Sequence, residues 1–215
     1  MPAFLGLLML DTRFPRLPGD AGLAASWPMP VRLAVVRGAT PQRVVRQADA
    51  TLLPAFISAA RALVDAGAAA ITTSCGFLVQ FQAELQAALP VPVWTSALLA
   101  CPKLPQPGVI TVDAQALGPA HLRAAGASPA TPVQGLPHGG HLQTTLLHNR
   151  PTLDAALARA EVVQAARALL QRCPQLQHLV LECTNLPPHA DAVAQATGLP
   201  VHHLLTLVCK RWKAL

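Results

Sequence analysis

Two cysteines of this chain stand where a protein does chemistry. Cys75 closes the run "AGAAAITTSC" (66 to 75), which turns from apolar residues into two threonines, a serine and the cysteine. Cys183 lies in "QHLVLECTN" (177 to 185), with Thr184 and Asn185 behind it. In an open parallel sheet, ligands collect beyond the carboxyl ends of the strands. A thiol there, just ahead of a helix, meets free backbone N–H groups that hold anions and lower its pKa. Short hydroxyl and amide side chains beside it can bind a carboxylate without adding charge. Two such thiols facing each other suit one chemistry, moving a proton on and off a carbon next to a carboxylate. One, as thiolate, takes the proton from one face, and the other, as thiol, delivers a proton to the opposite face. A thiol pKa of about 8.5 needs only a modest shift for both roles. Hydrogen bonds to the substrate carboxylate would stabilise the carbanion.

The elements that must position these thiols are legible as apolar runs alternating with amphipathic stretches. Buried strands are predicted at "FLGLLML" (4 to 10), "VRLAVV" (31 to 36), "AAAITTS", "VPVW", "GVITVD" (108 to 113), "TPVQGL", "LQHLVLE" and "LPVH". Between them, a helical stretch starts at a Thr40 cap with Pro41 in first position and ends at Gly67, with a kink or division at Pro54. A helix over 152 to 173 with Thr152 as cap, and a terminal helix from "LLTLVCKRWKAL", are the other clear ones. Strand–helix alternation with continuous apolar strands predicts an α/β fold with parallel sheets. An internal echo then divides the chain. Each cysteine is followed by a helix and by Leu-Pro-Val, 14 residues on at Leu89 and 16 residues on at Leu199. Each unit also has a small hydroxyl residue, Ser96 or Thr206, six positions after its proline. Two β–Cys–α–β units imply two related halves.

Composition narrows the class. The 215 residues are 52% hydrophobic and 12% charged, which describes a globular chain with a real core. The net charge is +6, but the basic residues are scattered and aromatics are only 4%, so the basic stripe and stacking platform of a nucleic-acid binder are missing. The excess instead favours an anionic small substrate. "MPAFLGLLMLD" lacks the basic leader of a secretory signal, and the uncharged stretch 66 to 83 holds too many polar residues for a membrane span. Five cysteines at irregular spacing, with no C-x-x-C, argue against disulfides and a thiolate zinc site and for a reducing cytoplasm.

"ITTSCGF" and "LVLECTNLPPHA" resemble the two cysteine motifs of the aspartate/glutamate racemase superfamily. The opening "LGLLMLDTRFPRLPGD" with "PVRLAVVRGATPQRVV" is similar to the amino-terminal region of uncharacterised members. The resemblance covers most of the chain. It implies two pseudo-symmetric α/β domains with mainly parallel sheets, about 1–97 plus 199–215 and 98–198, and an active site in the interdomain cleft. It further implies cofactor-independent chemistry on a small carboxylate, catalytic cysteines at Cys75 and Cys183, and a homodimer. By the same resemblance Thr73, Ser74, Gly76, Thr184 and Asn185 line the substrate carboxylate sites. Glutamate racemases usually carry histidine where this chain has Asn185, and polar residues where it has Gly76 and Phe77, so glutamate itself is not implied. Related branches include hydantoin racemases, maleate isomerases and arylmalonate decarboxylases, the last with a single cysteine where this chain has both.

The expected function is therefore a racemase or isomerase of an aspartate- or glutamate-like acid or related diacid, with no cofactor or metal. The alternatives are cis–trans isomerisation of a maleate-like diacid and a non-catalytic small-molecule binding protein. Asp11 ends the first strand with Thr12 behind it, and the loop from Asp11 to Asp20 carries Arg13 and Arg16; Asp11, Thr12 and Arg13 are further candidates for substrate binding, with Arg13 and Arg16 the cations for the second carboxylate of a diacid. Asp20 in "PGD" reads as turn chemistry. Glu182 precedes Cys183, and strand neighbours point to opposite faces, so its carboxylate is expected to be structural. His138 and His141 in "PHGGH" read as a surface loop, and His202 or His203 as a core or cleft histidine. Cys101, Cys173 and Cys209 read as packing residues.

Overall fold

β1 (Phe4–Leu10) is buried along its whole length. A strand with no polar face has to be covered on both sides, as its continuous apolar run predicts. It lies between β2 (Val31–Val36) and β3 (Ala68–Thr73), with β4 (Val93–Trp94) beyond β3, and every pairing is parallel. The second half repeats the plan. There β5 (Pro107–Thr111) lies between β6 (Val133–Gly135) and β7 (His178–Leu181), with β8 (Val201–His203) outside β7, again all parallel. The two four-stranded orders, β2-β1-β3-β4 and β6-β5-β7-β8, are the same path drawn twice. The computed structural model describes residues 3–215; Met1 and Pro2, which head the leader reading, lie outside the described residues.

The helices show how each sheet is covered. α1 (Leu53–Asp65) buries Phe56, Ala60 and Leu63, one stripe at helical spacing. α2 (Gln82–Ala88), α3 (Pro119–Ala124) and α4 (His141–Leu147) are short. α5 (Ala155–Arg172) buries Ala158, Val162, Ala165, Ala166 and Leu169, and α6 (Ala190–Thr197) and α7 (Leu204–Trp212) complete the set. The central strand of each sheet carries a glycine under its helix. A Cβ at Gly6 would meet Ile71 and Leu63, and one at Gly108 would meet Leu176 and Leu169. Among the described residues no helix is long and apolar enough to cross a membrane.

Several elements differ from the sequence reading, each for a physical reason. The stretch after Thr40 is a π-helical turn over Gln42–Arg46, then a break, then α1. Ala48 at φ 46 ends the first piece, and Pro54 falls in the first turn of α1, where its missing N–H costs no bond. β2 was expected to be buried, yet it is an edge strand with Leu33 and Val35 about half exposed. The long helix is capped by Asp154, which accepts from the Ala156 and Leu157 N–H groups, and not by Thr152. His141 opens α4 instead of lying in a loop, and its Nε2 accepts from the Asp154 N–H at 2.7 Å. β8 pairs with β7, so residues 201–203 belong to the second sheet and not to the first domain.

Leu169 is fully buried against the Gly108 face. Leu169→Ala should destabilise the protein by about 2–5 kcal/mol, read as a drop in the urea midpoint at unchanged slope. A loss under about 1 kcal/mol would mean that α5 is not seated on this core.

Candidate active site

Cys75 lies two residues past the end of β3, and Cys183 two residues past the end of β7. Both occupy the carboxyl edges of their sheets, next to the central strands. They are 8% and 7% exposed and line one pocket between the halves. Thr12, Ser74, Gly76, Thr184 and Asn185 share that lining. The rest of the wall is apolar, chiefly Phe14, Val45, Phe77, Val112, Leu146 and Leu147. The cavity volume is about 30 Å³. That takes one or two water molecules, so a substrate enters only when the walls part.

The two cysteine segments are tied across the seam. Thr184 Oγ1 donates to the Ser74 carbonyl at 2.5 Å, and the Ala21 N–H donates to the Thr184 carbonyl at 3.1 Å. Position 76 has no room for a side chain, because a Cβ there would run into the Glu182 carbonyl and carboxyl. Other links also span the halves. Arg46 Nε lies 3.0 Å from Asp113 Oδ2, and the Arg13 N–H donates to Asn149 Oδ1 at 2.5 Å.

The thiols are not equivalent. Burial pushes the Cys75 thiol up to about 12, and the nearby Glu182 charge adds to that, while the N–H groups of Phe77 and Leu78 and the Arg16 charge pull it down. Burial also pushes Cys183 well above the ordinary thiol range, with Glu182, Cys75 and Asp20 charges adding to it and the Asn185 N–H opposing. Cys183 donates its S–H to Asn185 Oδ1 at 3.5 Å, and Asn185 Nδ2 donates to Asp20 Oδ2 at 2.7 Å. Cys183 is thus held as a donor by an acceptor chain, whereas Cys75 sits against donors and closer to a cation.

The sequence candidates divide. Thr12 Oγ1 accepts from Arg16 Nη2 at 3.1 Å, and Ser74 Oγ accepts from the Leu10 N–H at 3.0 Å. Both hydroxyls keep a proton to give to a ligand. Thr73, expected at the site, is turned into the sheet and donates to the Thr95 carbonyl at 2.7 Å. Thr184 lines the pocket but spends its proton on Ser74. Asp11 points away, its Oδ2 accepting from the Gly38 N–H at 3.1 Å and its Oδ1 lying 3.7 Å from the exposed Arg37. The Arg13 side chain is exposed and outside the lining. Arg16 pairs with Asp20 at 2.7 Å, so it is no free cation for a diacid. Asp20 is buried and does more than turn the chain. It also takes the Gly22 N–H and holds Asn185. The apolar wall was missed, because Phe14, Leu146 and Leu147 carry no motif and come from loop and helix positions distant in sequence.

No known protein-family model matches the sequence. The chain is similar to dimethylsulfoniopropionate lyase 5 of Emiliania huxleyi (strain CCMP1516), 28% identical over 222 residues, covering 95% of this chain and 44% of that protein. It is also similar to the dimethylsulfoniopropionate lyase of Durusdinium sp. clade D, 26% identical over 224 residues, covering 93% of this chain and 71% of that protein. The chain therefore spans about half to two thirds of the length of such relatives. Among solved structures, a doubly substituted, liganded arylmalonate decarboxylase superposes with TM-score 0.63 at 13% identity, over 95% of this chain and 88% of that one. Allantoin racemase of Pseudomonas fluorescens superposes with TM-score 0.59 at 16% identity, over 98% and 90%. Glutamate racemase of Bacillus anthracis superposes with TM-score 0.57 at 16% identity, over 99% and 82%. The fold is the one seen in arylmalonate decarboxylase and in the glutamate and allantoin racemases, as the resemblance of the two cysteine motifs implied, and these relatives and neighbours are named as enzymes.

Asp20 carries three partners in a buried setting, and Asp11 carries an exposed one. Asp20→Ala should cost about 3–5 kcal/mol of stability, because Arg16 is left as a buried unpaired charge. Arg37→Ala should cost under about 1 kcal/mol. Chemical denaturation of the two variants checks the contrast, and equal losses would contradict it.

Proposed function

We propose that this chain is a cofactor-independent lyase that eliminates a leaving group from the β-carbon of a small carboxylate, with dimethylsulfoniopropionate as the first substrate to test. The observation that carries the reading is the pair of buried thiols opening onto one pocket whose lining bears no charged side chain. In this reaction Cys75, as thiolate, removes the proton next to the carboxylate. The electron pair forms the carbon–carbon double bond, and the carbon–sulfur bond breaks. Dimethyl sulfide leaves with that bonding pair, and acrylate and a proton remain.

Cys75 is the better base because backbone N–H groups and Arg16 favour its anion. Cys183, which donates to Asn185, turns its S–H to the developing enolate. Thr12 and Ser74 give their hydroxyl protons to the substrate carboxylate. The aromatic part of the lining, Phe14 and Phe77, suits a methylated sulfonium, which needs desolvated aromatic surface more than a counter-ion. The similarity to named dimethylsulfoniopropionate lyases over 93–95% of this chain supports the same choice.

Racemisation of an amino acid is the second reading, and the presence of two thiols favours it, since elimination needs only one base. Against it, an α-ammonium group needs a carboxylate acceptor. Asp11 is turned to Gly38 and Arg37, and Asp20 is committed to Arg16, Gly22 and Asn185. A diacid for cis–trans isomerisation would need a second cation, and Arg16 is already paired.

Headspace dimethyl sulfide and acrylate, measured with dimethylsulfoniopropionate, test the proposal. Cys75→Ser and Cys183→Ser should each lower kcat/KM by about 10²-fold or more. Because burial raises the Cys75 pKa, the base form grows with pH, and kcat/KM should climb from pH 6 to 9. Elimination that survives loss of both thiols would sink the mechanism. Deuterium uptake at the α-carbon of amino acids, without dimethyl sulfide from the sulfonium acid, would select racemisation.

A further inference from the structure

Glu182 is a buried carboxyl beside the thiols that the proposed reaction leaves unused. It follows β7 directly and is fully buried. Its backbone N–H donates to the Ile110 carbonyl, as that of Ser74 donates to Leu8, so Glu182 and Ser74 occupy matching positions in the two halves. One half thus has a small neutral residue before its cysteine and the other has an acid. Oε2 accepts from Thr111 Oγ1 at 2.6 Å, but Oε1 has no hydrogen-bond partner and lies against Gly76. A buried carboxyl half-satisfied in this way is costly. A packing role alone would be met by a residue like Ser74.

We infer that Glu182 is a positioning residue that sets the charge of both thiols from below, so that each of Cys75 and Cys183 gives up its proton less readily once the Glu182 carboxyl is ionised. Its place between the two cysteine segments brings its charge to bear on each sulfur. Burial pushes the carboxyl itself up to about 7, opposed by the Thr111 hydrogen bond, so it changes state near neutrality. The other groups around it are the two thiols, Arg16 acting on Cys75, and Asp20 acting on Cys183. His121 on α3 stands behind Phe77, its ring held towards neutrality by burial. No charged side chain adds to the shift of Glu182.

The inference goes beyond the lyase reading, and its test needs no substrate. Iodoacetamide alkylation of the full chain, followed at each cysteine by peptide mass spectrometry from pH 6 to 9, reads thiolate formation directly. Glu182→Gln keeps the shape and the Thr111 contact but cannot ionise. At pH 8 it should alkylate Cys75 and Cys183 about tenfold faster or more, one pKa unit being tenfold, with half-exposed Cys209 unchanged. Thr111→Val, which raises the Glu182 pKa further, should shift both thiols in the same direction. The wild type carries its own check. The logarithm of its Cys75 rate should bend to a shallower slope near pH 7, where Glu182 gains its charge. Unit slope throughout in the wild type, or wild-type rates in folded Glu182→Gln, would overturn the inference whether or not any substrate is eliminated.

Discussion

Position 76 has no space for a Cβ, and the whole site depends on that close approach. Segments 74–76 and 182–184 come from different sheets, yet the Glu182 main chain lies directly against Gly76. Any side chain at 76 would prise them apart. The contact brings Thr184 onto the Ser74 carbonyl, sets Cys75 and Cys183 at one pocket, and seals Glu182 beneath them. The two sheets supply rigid carboxyl edges, and the missing methyl group lets those edges meet.

Dryness is the second term. Two thiols and a carboxyl are held away from water with few charges to compensate, and burial is the largest cause of every pKa rise among them. In such a compartment a single charge acts strongly, because little solvent screens it. The fold is symmetric, but its electrostatics are not. Cys75 meets backbone donors, while Cys183 is chained through Asn185 to Asp20. That difference sets two similar motifs in unlike electrostatic surroundings.

The strands, their parallel pairing and the doubling of the chain were legible because apolar runs and the Cys to Leu-Pro-Val echo are local signals. Cys75, Ser74, Gly76, Cys183 and Asn185 were legible as pocket residues for the same reason. What could not be read was orientation. Thr73 has the type of a carboxylate donor, but strand alternation turns it to the Thr95 carbonyl. Asp11 ends the right strand, yet the Gly38 turn captures it. Asp20 looked like turn chemistry, because its tie to Asn185 comes from the other half of the chain, 165 positions away. The break at Ala48 and the edge position of β2 depend on tertiary neighbours that no sequence window contains.

The small cavity has a consequence for the life of the protein in an oxidising medium. Peroxides attack thiolates that are exposed, and here both sulfurs are neutral and covered while the walls stay together. The closed population therefore acts as storage, and damage is confined to the fraction of time spent open. The same fraction divides into the intrinsic affinity for any ligand of the pocket, so keeping the sulfurs covered weakens binding correspondingly.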